Sequence, residues 1–104
     1  MTSPSHFTPV ALHHASRLIN HGPTVLVTSA HGGRRNIMAA AWSMPVEFTP
    51  PRLAVVIDKS TFTRELIAAS GAFALCIPGT ALADLTFAVG SASGRDTDKF
   101  AHHA

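Results

Sequence analysis

The stretch Leu53-Ala54-Val55-Val56-Ile57-Asp58-Lys59-Ser60-Thr61-Phe62-Thr63-Arg64 contains the transition that decides the fold. Its first five residues are all apolar, which predicts a strand that is buried on both faces. Thr61 is a suitable helix N-cap, because its hydroxyl can accept a hydrogen bond from an unpaired amide in the first turn. We therefore predict a helix from about residue 62 to residue 70, closed by Gly71. A strand that runs directly into a helix indicates a mixed α+β domain.

The residues on either side of this stretch predict more strands and two more helices. Patterns of β-branched and apolar residues predict strands at residues 24–30, 36–44 and 73–77. Apolar spacing predicts helices at residues 11–20 and 81–89, the second with an inward face formed by Leu82, Leu85 and Val89. The glycine-bearing segment His31-Gly32-Gly33-Arg34-Arg35 has the length of a hairpin loop, so we assign its two arginines to a turn.

Length and composition exclude several classes of protein. The 104 residues allow one domain, which we place at residues 1–104. A 46% apolar content, a 13% charged content and a mean hydropathy of +0.23 exclude intrinsic disorder. Although the pI is about 9.3, basic residues are nowhere dense, and no apolar run approaches the roughly 18 residues of a membrane span. We therefore expect no nucleic-acid partner and no membrane partner.

The single cysteine and the open sheet indicate where the protein works and how it is assembled. Cys76 cannot form a disulfide within the chain, so a cytoplasmic location is expected. Four strands with apolar faces would leave unpaired edges, which soluble proteins normally cover. Either a partner subunit completes the sheet or the chain is a fragment.

No metal site and no catalytic nucleophile are expected. One cysteine excludes a thiolate-rich site, and the adjacent pair His13-His14 cannot converge on one ion. The run Gly90-Ser91-Ala92-Ser93-Gly94 is similar to a hydrolase elbow, but alanine occupies the central position.

Two segments could hold a ligand, each with a plainer explanation. The segment Lys59-Ser60-Thr61-Phe62-Thr63-Arg64 combines free helix amides, three hydroxyls and two cations, which favours a phosphate group. An ordinary strand-to-helix turn accounts for the same residues. In the segment Asn36-Ile37-Met38-Ala39-Ala40-Ala41-Trp42-Ser43-Met44, small residues accompany an amide and an indole, which would admit a flat ligand. A strand packed beneath a helix has the same composition.

Taken in order, these segments resemble the flavin reductase-like family of FMN-binding split β-barrel proteins, which includes flavoredoxin. The similar pieces are residues 18–28, 36–46, 50–55, 61–67 and 93–100. The resemblance implies an α+β, mainly β fold, a split β-barrel that is incomplete at the C-terminus. It also implies that the chain forms the N-terminal two-thirds of the family domain, because family members continue with further strands.

The resemblance further implies that FMN binds non-covalently and accepts hydride from NADH or NADPH. No catalytic residue is expected of the chain, because the flavin itself carries the hydride chemistry. The residues that the resemblance and the two ligand segments assign to FMN are Asn36, Trp42, Ser43, Lys59, Ser60, Thr61, Thr63 and Lys99. Of these, Asn36 and Trp42 are expected at the isoalloxazine ring, Thr63 with its neighbouring hydroxyls at the phosphate, and Lys99 at a further flavin contact.

The family also implies a homodimer with FMN near the subunit interface. Reduced flavin or electrons would pass to a partner such as a monooxygenase or another electron acceptor. Two alternatives stay open, namely a non-enzymatic FMN-binding module and an inactive truncated fragment.

Overall fold

The computed structural model describes residues 6–102, so both ends of the predicted domain lie outside the described part. Within that range the strands are β1 (Val25–His31), β2 (Arg34–Ala40), β3 (Ser43–Glu47), β4 (Arg52–Val55) and β5 (Ala74–Cys76). The α-helices are α1 (Phe62–Ser70), α2 (Ala83–Gly90) and α3 (Lys99–His102). Two 3₁₀ segments, Leu12–Ile19 and Thr80–Leu82, precede β1 and α2.

The strands β1 and β2 form a tight antiparallel hairpin. Gly32 and Gly33, which connect them, have φ angles of 60° and 80°. Positive φ at both central residues is what a two-residue type I′ turn requires, and glycine adopts it without steric cost. Arg34 and Arg35 therefore begin β2, where Arg34 pairs with His31. Their assignment to a turn was wrong, because the two glycines alone complete the reversal.

The core lies where this hairpin packs against α1. The strand β1 is central in a three-stranded sheet of order β2-β1-β5, and both its neighbours are antiparallel to it. Val25 and Val27 on β1 are fully buried, and Ile67 of α1 packs against them. The helix α1 lies across β1 and β2, and α2 packs on β2.

The predicted helix after the strand is confirmed at both ends. The Thr61 hydroxyl accepts a hydrogen bond from the Arg64 backbone N–H at 3.2 Å. At the other end, the Gly71 backbone N–H donates to the Ile67 carbonyl at 2.7 Å. This firm start of α1 fixes the direction of the side chains in its first turn.

The predicted continuous strand over residues 36–44 was wrong. The chain leaves the first sheet after Ala40, and β3 begins at Ser43 in a separate two-stranded sheet with β4. At the break, the Trp42 carbonyl accepts a hydrogen bond from the Val56 backbone N–H at 2.9 Å. Pairing with β4 therefore turns the chain away from β1.

The prediction that residues 53–57 are buried on both faces was also wrong. In β4 and just after it, Leu53 is 49% exposed and Val56 is 60% exposed. The physical reason is that β4 pairs with β3 in a two-stranded sheet, and only part of this segment contacts the core. Val55 and Ile57 do pack against the core.

The two outer predicted helices and the last strand differ in detail. Residues 12–19 are 3₁₀ rather than α-helical, and both Leu12 and Ile19 are exposed. The predicted helix over residues 81–89 starts with a 3₁₀ turn, which leaves Leu82 exposed while Val89 is buried. The strand predicted at residues 73–77 is confined to β5.

The described part is an α+β fold with more strands than helices, and residues 6–102 form no closed barrel. Its radius of gyration is 17.0 Å, whereas a compact domain of this length would have about 13 Å. Large apolar side chains such as Met44, Val46 and Phe48 are exposed. This mixed, mainly β arrangement agrees with the fold class that the resemblance implies. Among residues 6–102, no helix combines the length and the apolar character needed to cross a membrane.

Candidate functional site

The candidate site is built around a buried amide on β2. The Asn36 Nδ2 donates to the Thr63 Oγ1 at 2.9 Å, with Asn36 only 4% exposed and Thr63 fully buried. The other amide atom, Asn36 Oδ1, is buried and has no hydrogen-bond partner among the described residues. An unpaired buried polar atom costs about 1–3 kcal/mol. Gly94 packs against this oxygen, because a Cβ added to Gly94 would meet Asn36 Oδ1 first, so a ligand N–H reaches the oxygen only when the amide or Gly94 shifts.

A buried lysine lies beside this amide. Lys99, the first residue of α3, is 5% exposed, and its Nζ donates to the Ile37 carbonyl at 2.7 Å. No carboxylate of residues 6–102 lies within ion-pair distance of that ammonium. Burial lowers the pKa of Lys99, because the charged form loses its hydration. An electron-rich ligand atom would relieve this cost.

The two groups line one cavity with the start of α1. This cavity, called here the Asn36 cavity, has a volume of about 290 Å³. It brings together five of the predicted site residues, namely Asn36, Ser60, Thr61, Thr63 and Lys99. The volume is near the lower end of the roughly 300–1,000 Å³ typical of small-molecule sites. It can therefore hold part of a ligand of FMN size, with the remainder outside.

Gly94 closes one wall of the Asn36 cavity. A Cβ added to Gly94 would lie 2.7 Å from the Asn36 Cγ and 2.8 Å from the Phe62 Cδ2, closer than real side chains approach. The backbone at Gly94 thus holds the Asn36 side chain in place. Gly94 was not among the predicted site residues. The feature of the sequence that could have identified it is its position directly before the segment that leads to Lys99.

The hydroxyls predicted to bind phosphate are engaged within the turn before α1. The Ser60 hydroxyl donates to the Asp58 Oδ1 at 2.6 Å, and the Ser60 backbone N–H donates to the same oxygen at 2.8 Å. These bonds hold the pKa of Asp58 below its ordinary value. The Thr61 hydroxyl donates to the Asp58 carbonyl at 2.8 Å while it caps α1. In this structure the Ser60 and Thr61 hydroxyls thus bond within the turn, and a phosphate contact there stays a prediction. Lys59 is exposed and does not line the Asn36 cavity.

Trp42 and Ser43 are not brought to the Asn36 cavity. They line a separate apolar cavity of about 420 Å³, together with residues of β4. The Trp42 Nε1 donates to the Asn20 Oδ1 at 2.7 Å, and the indole is about half exposed. The break after Ala40 separates the amide from the indole.

The chain is similar to proteins of one family. The sequence model of the family described as "Flavin reductase like domain" matches residues 16–104. An uncharacterized protein of Escherichia coli K12, YddH, is 67% identical over 98 residues, which cover 92% of this chain and 52% of that protein.

Solved structures agree with this match. An FMN-binding domain of a flavin reductases-like enzyme from Shewanella baltica has a TM-score of 0.75 and 48% identity, covering 91% of this chain and 50% of the other. Flavoredoxin of Desulfovibrio vulgaris has a TM-score of 0.75 and 33% identity, covering 99% and 52%. The chain spans about half the length of these relatives.

Proposed function

This chain belongs to the flavin reductase-like domain family, and on that premise we propose that it binds FMN non-covalently as part of an NAD(P)H-dependent flavin reductase. When bound, FMN would supply the redox chemistry, taking hydride from NADH or NADPH. The observation that carries the proposal is the pairing of an unpartnered buried acceptor, Asn36 Oδ1, with the uncompensated cation of Lys99 in one cavity.

The chemistry of these two groups fits the polar edge of a flavin ring. That edge carries an imide N–H, which would donate to Asn36 Oδ1, beside carbonyl oxygens, which would accept from the Lys99 Nζ. Asn36 Oδ1 would then gain the partner it lacks, and the Lys99 ammonium would gain an acceptor besides the Ile37 carbonyl. Thr63 acts as a positioning residue, because its hydroxyl holds Asn36 Nδ2 and leaves Oδ1 as the free amide atom.

We also propose a homodimer, a cytoplasmic location and an electron-accepting partner such as a monooxygenase. The exposed apolar side chains of β3 and β4 and the open sheet edges support a homodimer. Trp42 and Ser43 stay predicted flavin contacts, and Trp42→Phe tests them by its effect on FMN affinity. Light scattering coupled to size exclusion tests the dimer, and a monomer at micromolar concentration would contradict it.

Titration of the purified protein with FMN, followed by flavin fluorescence, tests the proposal. We expect Lys99→Met to lower FMN affinity at least tenfold. The exposed cation Arg17 provides a matched control, so that Arg17→Met should change affinity less than twofold. An unmodified protein that does not bind FMN, or equal effects of the two substitutions, would contradict the proposal.

Consumption of NADH or NADPH in the presence of FMN distinguishes the proposed reductase from its two alternatives. Turnover supports the reductase, whereas FMN binding without turnover supports a non-enzymatic FMN-binding module. Neither turnover nor a rise in melting temperature with FMN would support an inactive fragment, because a ligand that binds the folded state raises its stability.

A further inference from the structure

A buried hydroxyl on β1 has no hydrogen-bond partner. Ser29 is 6% exposed, and its Oγ lacks a partner among residues 6–102. In that range the other buried side-chain atom without a partner is Asn36 Oδ1. Because a buried polar atom without a partner lowers stability, each one that a folded protein keeps requires a physical explanation.

The two atoms belong to residues that face each other across the hairpin of β1 and β2. Ser29 is paired directly with Asn36 in the antiparallel register. Side chains of directly opposed residues lie on the same face of a sheet, with Cβ atoms about 4.5–5.5 Å apart. Because both side chains are short, a rotation of the amide is enough to bring it to the hydroxyl.

The Asn36 amide still has a donor to offer. Its Nδ2 carries two N–H groups, and one of them donates to the Thr63 Oγ1 at 2.9 Å. Among residues 6–102, no second acceptor lies within hydrogen-bond distance of Nδ2. A serine hydroxyl has lone pairs that accept hydrogen bonds, so the Ser29 Oγ matches the remaining N–H.

A ligand reaches Asn36 Oδ1 only after a movement, and the contacts around Gly94 indicate which group moves. The residue after Gly94, Arg95, pairs with Glu65 at 2.7 Å and donates to the Ser60 carbonyl at 3.3 Å. These two contacts tie the loop to the start of α1. The Asn36 amide, by contrast, is held by one hydrogen bond. A rotation of the amide therefore disturbs fewer contacts than a displacement of the loop.

We propose that Ser29 is a positioning residue for flavin binding, whose hydroxyl accepts from the second Nδ2 N–H of Asn36 when the amide turns away from Gly94. This inference rests on the proposed function. With Thr63 on one N–H and Ser29 on the other, the amide presents Oδ1 to the imide N–H of the flavin ring. Both unpartnered atoms gain a partner in the same movement. Ser29 acts through Asn36 and does not touch the ligand.

The variant Ser29→Ala tests this role by two effects of opposite sign. The hydroxyl has no partner in the ligand-free protein, so the melting temperature should stay the same or rise. Affinity for FMN should fall by about fivefold or more, as the loss of one hydrogen bond implies. Riboflavin affinity should fall by the same factor, because the amide meets the ring and not the phosphate. A lower melting temperature with unchanged affinity would overturn the inference.

A matched control and a variant of similar size accompany this measurement. The exposed Ser70 hydroxyl donates to the Ala72 carbonyl at 3.2 Å, so Ser70→Ala should not raise the melting temperature and should change FMN affinity by less than about twofold. Ser29→Cys keeps the volume, but its sulfur is a weak acceptor, so FMN affinity should fall as it does in Ser29→Ala. A cysteine variant that binds FMN as tightly as the unmodified protein would overturn the inference.

The side-chain amide of Asn36 gives a direct readout in ¹H–¹⁵N spectra. When FMN saturates the unmodified protein, the Nδ2 proton that is not bonded to Thr63 should move downfield. The same proton should not move downfield in Ser29→Ala. A proton that does not respond in the unmodified protein, or that moves equally in both proteins, would overturn the inference.

The titrations distinguish this inference from the proposed function. If the unmodified protein does not bind FMN, both are overturned. If it binds FMN and Ser29→Ala leaves the affinity unchanged, only the role of Ser29 is overturned, and the proposed contacts of Asn36 and Lys99 stand.

Discussion

Replacing Thr63 with valine should destabilise the protein through Asn36. Valine has nearly the shape of threonine, so the fully buried site keeps its packing and loses only the Oγ1 acceptor. The Asn36 Nδ2 then joins Oδ1 as a second unpartnered atom of the same buried amide. An unsatisfied buried donor costs about 1–3 kcal/mol. For a domain of this size, each 1 kcal/mol corresponds to a fall of roughly 4–8 °C in melting temperature.

A double-mutant cycle with Asn36→Leu isolates this hydrogen bond. Asn36→Leu alone leaves the Thr63 hydroxyl without its donor, whereas the double substitution removes both partners. The loss of unfolding free energy in the double variant should therefore be smaller than the sum of the two single losses by about 1–2 kcal/mol. Urea unfolding followed by circular dichroism measures all four proteins. Thr86→Val is the matched control, because the Thr86 hydroxyl bonds its own helix at the Leu82 carbonyl, and it should cost less than about 0.5 kcal/mol. Strict additivity in the cycle would refute the reasoning.

The same substitution tests the predicted phosphate contact of Thr63. If Thr63 only positions Asn36, Thr63→Val weakens FMN and riboflavin by the same factor. A loss confined to FMN, of about 1–3 kcal/mol, would instead support a hydroxyl that donates to the phosphate.

Three further outcomes are expected. Gly94→Ala should cost roughly 1–3 kcal/mol and weaken FMN binding, because the added methyl would lie 2.7 Å from the Asn36 Cγ; unchanged melting and affinity would contradict this. Gly71→Ala, at a φ of 73°, should cost about 1 kcal/mol in thermal melting, whereas Gly79→Ala, with open space and an extended φ, should be nearly neutral. Burial lowers the pKa of Lys99, so between the lowered and the ordinary pKa the unfolded chain binds more protons than the folded chain. The free energy of unfolding should therefore rise with pH across that alkaline interval. Lys99→Met should abolish the rise in urea unfolding, and an identical pH profile of the variant would count against this reasoning.

The elements predicted well from the sequence depend on contacts between near neighbours. The helix α1 begins at the Thr61 cap and ends at Gly71, and both signals act within four residues of the helix end. The hairpin at Gly32-Gly33 is equally local, because the turn type follows from the two residues themselves. Asn36 and Thr63 were singled out from their residue types and Lys99 from the family resemblance, and the three share a cavity because β2, α1 and α3 pack together.

The sequence by itself determined the mainly β composition and the capped helix, since each depends on local geometry or residue type, and it predicted five of the residues that line the Asn36 cavity. Only the tertiary structure decided that Trp42 lines a different cavity, that Leu53 and Val56 are exposed and that Arg34 stacks on Phe62. An apolar run indicates that a strand can be buried, but whether the strand is buried depends on which distant segments cover it. The pairing of β3 with β4 and the packing of Phe62 and Phe100 against arginines are such long-range choices, and no short stretch of sequence encodes them.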